Sequence, residues 1–274
     1  MASRLCCPLI WCLLAATAPA QAIVGGTATS DFRHVSSGVQ FNANWVLTAG
    51  HLGYAVDGSY SNGYGSALIA ARYDLGPGPF PANDLALLRL ATPIAAPTLQ
   101  LFDTLLAAGP LAQPLDATIS TGSNQQPRGY AFSQLREVLD SVDPDDLPGQ
   151  PGPLPPVAVN WLVTYSPSVG PPHVEGGDSG GGLFLGSVGD SSGALLMGIT
   201  SSLLDFDTGG RGSAFVQLAA YRSWIDSTLG TDLADNQLAL WASAVPEPAG
   251  WALGTAGVLL VGAAATRRRR HGTA

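Results

Sequence analysis

The sequence predicts an all-β fold, a barrel or a sandwich. Glycine and proline punctuate the whole chain, at 34 and 21 of 274 residues, so no long regular element fits between them. Short runs that are apolar or alternate between apolar and polar recur between these breaks. Helical spacing is confined to two segments near the C-terminus. Many short strands with few helices is the pattern of sheet packed on sheet or closed on itself.

In chain order the strand candidates are residues 35–41, 45–49, 66–72, 85–90, 117–121, 158–165, 182–185 and 194–200. Turn-forming Gly, Pro, Asn and Asp lie between them, the residues that end strands. Residues 143–156 read DPDDLPGQPGPLPP. Six prolines in fourteen residues leave too few N–H donors for a ladder or a helix. This stretch reads as an exposed loop rather than an inter-domain linker, because the chain is β-rich on both sides. Residues 215–229 carry Phe215, Leu218, Ala219, Arg222 and Ile225 at helical intervals, with room for a strand at the start and a helix at the end. Residues 233–241 form a second short helix candidate.

Both ends read as addresses. Residues 1–22 have the form of a signal peptide: Arg4, an apolar run over 5–17, then Ala20-Gln21-Ala22 as a small-x-small cleavage site. Residues 246–270 start with Pro246-Glu247-Pro248 and continue through 18 uncharged residues to Arg267–Arg270. As a helix the uncharged part would span roughly 27 Å, enough for a bilayer core, and the arginines would stay cytoplasmic. The domain between them, 23–240, would then lie on the periplasmic side.

All three cysteines, Cys6, Cys7 and Cys12, fall in the signal segment, so the domain that remains after its removal contains no disulfide. The chain has no lysine. Residues 23–245 hold seven arginines and nineteen acids, a net charge of −12. Such a surface repels nucleic acid and anionic membranes.

The chemistry centres on Gly176-Gly177-Asp178-Ser179-Gly180-Gly181. Glycines on both sides leave the Ser179 hydroxyl accessible and let the turn aim successive N–H groups at one point, an anion hole. Serine needs a base. Of four histidines, His271 lies in the tail, His34 in a polar stretch, and His173 six residues before Ser179. His51 follows the strand 45–49 and is the one placed to project into a cleft. Its orienting carboxylate would be Asp84, which runs straight into the apolar strand 85–90 and needs a partner once buried. Singly, these read as a surface turn, a structural histidine and a turn aspartate.

Together, in this order, they resemble the chymotrypsin/trypsin family. Trp45-Val46-Leu47-Thr48-Ala49-Gly50-His51 is similar to its histidine motif, Asn83-Asp84-Leu85-Ala86-Leu87-Leu88-Arg89-Leu90 to its aspartate motif, and Gly177-Asp178-Ser179-Gly180-Gly181 to its serine motif. Ile23-Val24-Gly25-Gly26 resembles its mature N-terminus, and Tyr221-Arg222-Ser223-Trp224-Ile225 its closing helix.

The resemblance implies two antiparallel six-stranded β-barrels with the site in the cleft between them and a short C-terminal helix. It implies a serine endopeptidase acting on proteins or peptides, with His51, Asp84 and Ser179 catalytic and without metal or organic cofactor. Gly177 and Ser179 would form the oxyanion hole, Ser201 would support Asp84, and Ile23 would pair with Asp178 once its amine is free. The tail resembles the PEP-CTERM sorting signal of certain Gram-negative bacteria. That likeness implies signal peptidase at one end, an exosortase-type enzyme at the other, a transient membrane helix, and delivery to the cell surface or beyond.

Three departures from the family pattern stand out. Its disulfides are absent, Gly182 replaces a usual proline, and His173 stands where trypsins carry the aspartate at the floor of the specificity pocket. Two rival readings are a catalytically silent binding module on the same fold and a serine esterase. The esterase order is serine, acid, histidine, and only His271 follows Ser179.

Overall fold

In the computed structural model the described residues are 23–77, 80–122, 128–147, 155–166, 172–206, 209–231 and 238–244. The signal segment 1–22 and the tail 246–270 lie outside them. Among the described residues no helix is long and apolar enough to cross a membrane.

After the short β1 (Thr27–Ala28), the first half of the chain forms β2 (Val39–Gln40), β3 (Trp45–Thr48), β4 (Ser59–Ser61), β5 (Ser66–Asp74) and β6 (Ala86–Leu90). They make a five-stranded sheet in the order β2-β3-β6-β5-β4. β3 is buried along its whole length, because neighbours flank it in the sheet and apolar layers cover both faces. Such a strand reads as an unbroken apolar run.

The second half forms β7 (Gln100–Phe102), β8 (Gly109–Thr121), β9 (Gly129–Val142), β10 (Val157–Ser166), β11 (Gly182–Leu185), β12 (Leu195–Asp205) and β13 (Arg211–Gln217). The sheet path runs β11-β8-β9-β10-β13-β12, and β11 also pairs with β12, so six antiparallel strands close into a barrel. Closure removes the exposed edges of an open sheet. A single 3₁₀ turn leads into α1 (Arg222–Gly230), and β14 (Leu240–Ala242) adds in parallel beside β7. The all-β, two-unit architecture is the one expected.

Local outcomes differ instructively. Residues 35–41 supply only the two residues of β2, since Val35–Gly38 turns back on itself through Ser36 N–H to Gly38 O. Residues 143–156 fall between β9 and β10, which pair directly, so the stretch connects neighbours in one sheet rather than two domains. Its residues 148–154 lie outside the described ones. The segment 215–229 divides into the end of β13, the 3₁₀ turn and all but the last residue of α1, a strand followed by a helix as its pattern allows. The helix expected over 233–241 is corrected at its described end. Leu240 and Trp241 are extended, held by pairing with β7 and by Trp241 Nε1 donating to Asp226 at 2.8 Å. β9 was not foreseen. Its sequence, GYAFSQLREVLDSV, mixes charges into a strand whose Ala131, Leu135 and Val138 pack into one core while Phe132 stays exposed.

The two units meet through Gly180. Its φ is +83°, and a Cβ there would lie 2.3 Å from Ser37 O. Gly180→Ala should therefore combine left-handed strain with overpacking and cost about 2–5 kcal/mol. Urea unfolding measures this; a loss below about 1 kcal/mol would mean that the turn relaxes freely.

Candidate active site

The antiparallel pairing of β3 with β6 sets Thr48 opposite Ala86. The chain leaving β3 and the chain entering β6 therefore emerge side by side, carrying His51 and Asp84. Gly50 keeps them close, since a Cβ there would meet Leu85 N at 3.1 Å. Asn83 adopts φ +52°, a left-handed conformation that asparagine tolerates better than most residues, and this aims Asp84 inward.

Asp84 is 4% exposed. Its carboxylate accepts from the His51 amide at 2.7 Å, from His51 Nδ1 at 3.0 and 2.9 Å through the two oxygens, and from Ser201 Oγ at 2.5 Å. A buried carboxylate is costly without partners, and these donors supply them. Ser201 reaches Asp84 because β12 bulges against β13 between Thr200 and Ser202.

His51 Nε2 lies 2.9 Å from Ser179 Oγ. Since Nδ1 faces a carboxylate, it carries the hydrogen, and Nε2 is left to accept from the serine. Ser179 sits in a turn fixed by Asp178 N–H to Glu175 O, Gly181 N–H to Asp178 O and Gly180 N–H to Thr200 O. Gly177 has φ +104°. Among the described residues neither the Gly177 nor the Ser179 amide donates to a protein acceptor. A cavity of about 310 Å³ opens beside them, bounded by His51, Ser179, Ser201 and Leu203 among others. Phe80 sets its edge against the His51 ring, with centroids 5.2 Å apart.

Ile23 is buried in the barrel core with Val174 and Phe215, and Val24 bridges to His173. Asp178 is buried beneath the serine turn, accepting from Thr121 Oγ1 and the Glu175 amide, each at 2.8 Å. Burial pushes its carboxyl up to about 6, and these hydrogen bonds only partly oppose the rise. Ile23 and Asp178 make no ion pair in the continuous chain, where the Ile23 nitrogen is an amide.

His173 does not line the cavity. It is buried, with Nε2 3.2 Å from Arg211 Nη1 and 3.7 Å from Glu175 Oε1. His34 is structural: its ring nitrogens bond Ser191 Oγ at 2.7 Å and Pro97 O at 2.8 Å, and burial lowers its pKa. No group of three His, Cys, Asp or Glu side chains among the described residues could hold a metal ion.

Asn83 enters the sequence analysis only as the first residue of the aspartate motif, with no role, and Phe80 and Arg72 do not enter it as neighbours of this site. For Asn83 a signal existed, an Asn directly before the aspartate of an apolar strand. Phe80 and Arg72 had none, because their contacts cross between segments.

No curated protein matches the chain. Residues 15–225, well over half of it, match the family model for trypsin. With the two-unit β architecture already described, that match means the chain belongs to the trypsin family.

Proposed function

We propose that this protein is an exported serine endopeptidase that works through an acyl-enzyme on Ser179. Family membership supplies the coarser statement, a serine-type peptidase acting on proteins or peptides. The observation that carries the finer reading is the continuous hydrogen-bonded line Ser179–His51–Asp84–Ser201, with two unengaged amides at its reactive end.

Ser179 Oγ attacks the peptide carbonyl while His51 Nε2 takes its proton. The oxygen that gains charge is received by the Gly177 and Ser179 amides, each worth on the order of 3 kcal/mol of barrier. His51 then gives the proton to the leaving amine. Asp84 holds the imidazole tautomer and stabilises the imidazolium throughout. Water repeats the sequence to release the acid. A fluorophosphonate probe tests this reading: it labels the folded exported protein at Ser179, and absence of labelling would overturn it.

Export and activation belong to the same proposal. Removal of residues 1–22 would free the Ile23 amine close to the core position its side chain already occupies, and that amine would pair with Asp178. The tail 246–270 would direct the protein through an exosortase-type enzyme to the surface.

While Ile23 remains peptide-bonded, the folded state holds the Asp178 proton more tightly than the unfolded state. Stability therefore falls as pH rises from the ordinary 3.8 through about 6. Once the amine pairs with Asp178, both shifts favour the charged forms. The carboxyl is depressed, so its contribution is lost as pH falls. The amine is raised above its ordinary value of roughly 7.7–8.0, so its contribution is lost only in alkali. Thermal unfolding against pH should separate the two forms: one with residues retained ahead of Ile23 loses stability between about pH 4 and 6, whereas in the exported form the Asp178 contribution is flat there and is lost only as pH falls below about 3.8. Equal slopes would sink the pairing.

A further inference from the structure

The loop that carries His51 lies outside any strand, and the domain from Ile23 to Ala244 has no cysteine to brace it. One side chain takes that role. Arg72, on β5, sends Nη2 to Gly50 O at 2.6 Å and Nη1 to Leu52 O and to Tyr54 O, the latter at 3.0 Å. Three carbonyls of one short loop thus converge on a single guanidinium. Asp74 Oδ1 fixes the far side of the fork, accepting from Nε at 3.0 Å and Nη2 at 2.6 Å. The planar, five-donor geometry of arginine suits this task, and lysine cannot reproduce it.

The strand that bears Arg72 is also tied to the other half of the site. β5 pairs with β6, Arg72 opposite Leu88 and Asp74 opposite Ala86, two residues beyond Asp84. One residue therefore locks the His51 loop to the strand pair that carries its carboxylate partner. We infer that Arg72 is a positioning residue, holding the backbone on both sides of His51 so that the imidazole stays in line between Asp84 and Ser179. The inference rests on the endopeptidase reading for its kinetic consequence, but its geometric consequence stands apart from it.

The test uses the processed protein with Arg72→Ala and Arg72→Lys. The first readout needs no catalysis: the downfield proton resonance of the His51 Nδ1–H bond to Asp84. The second is peptide hydrolysis, with kcat and KM separated. In Arg72→Ala the resonance should broaden or vanish while the amide spectrum of both sheets persists. Loss of alignment by an ångström or less should lower kcat roughly tenfold to a hundredfold, with KM within about twofold. Arg72→Lys should recover only part of either.

The guanidinium of Arg72 borders a cavity of about 580 Å³ that it shares with Gly50, His51 and Asp74, so added guanidinium ion can enter the vacated site in Arg72→Ala. Restoration of resonance and kcat together by millimolar guanidinium supports the proposal. An unchanged resonance with unchanged kcat overturns it. So does a loss that follows general unfolding and that neither guanidinium nor lysine recovers. If the wild-type resonance is present but no peptide is cleaved, the endopeptidase reading fails, and the resonance in Arg72→Ala alone decides the role of Arg72.

Discussion

Ser179→Ala is expected to lower kcat by about six orders of magnitude, the scale seen when the nucleophile of such a relay is removed. Ser179 Oγ is the atom 2.9 Å from His51 Nε2, and the turn around it is held by backbone bonds that do not involve the hydroxyl. Alanine therefore leaves the fold, the cavity and the two amides in place, and the chain should unfold at the same urea concentration as wild type. Any residual rate above that of water comes from substrate held against those amides. Fluorophosphonate labelling should disappear entirely. A variant that still labels would mean another nucleophile, and one that hydrolyses peptides within about tenfold of wild type would remove Ser179 from the mechanism.

Asp84→Asn should lower kcat by about 10⁴ near neutral pH while leaving KM almost unchanged. The carboxylate accepts from His51 N, His51 Nδ1 and Ser201 Oγ, all donors. Asparagine offers one oxygen and one NH₂. If its oxygen stays with the His51 amide, its NH₂ faces the Nδ1 edge of the ring and Ser201. Nδ1 must then become the acceptor, and the hydrogen moves to Nε2. In that tautomer Nε2 cannot take the Ser179 proton. The fold is retained because asparagine is isosteric, so the loss should appear in turnover rather than in unfolding. A kcat within about tenfold of wild type would show that Asp84 is not the group that orients the base.

The site was legible in the sequence where its chemistry lies in contiguous motifs. His51, Asp84 and Ser179 each follow or precede an apolar strand, and the pairing of β3 with β6 converts that shared position into contact between the first two. Ser201 came only with the family likeness, because a bulge leaves no mark in a run of serines. Arg72 was out of reach. Its partners are backbone carbonyls about twenty residues away, which have no side-chain signature at all. β9 was missed for a different reason. Ala131, Leu135 and Val138 pack into the core while Phe132 is exposed and Arg136, Glu137 and Asp140 lie along the same strand, so neither alternation nor an apolar run stands out. His173 is a further lesson: position relative to Ser179 placed it in a pocket, whereas the Val24 bridge and Arg211 hold it away from the cavity surface.

The C-terminal edge of the barrel sheet bears on how the domain withstands mechanical load. β14 joins β7 in parallel through three residues, Ser243 Oγ donates to Asp103 at 3.0 Å, and Arg222 lies over the Trp241 ring. A tether pulling at Ala244 would draw β14 along its own axis, in shear, so its hydrogen bonds to β7 share the force. The strand is short enough to let go first. It would then act as a fuse, sliding off β7 while the six strands that close into the barrel stay joined.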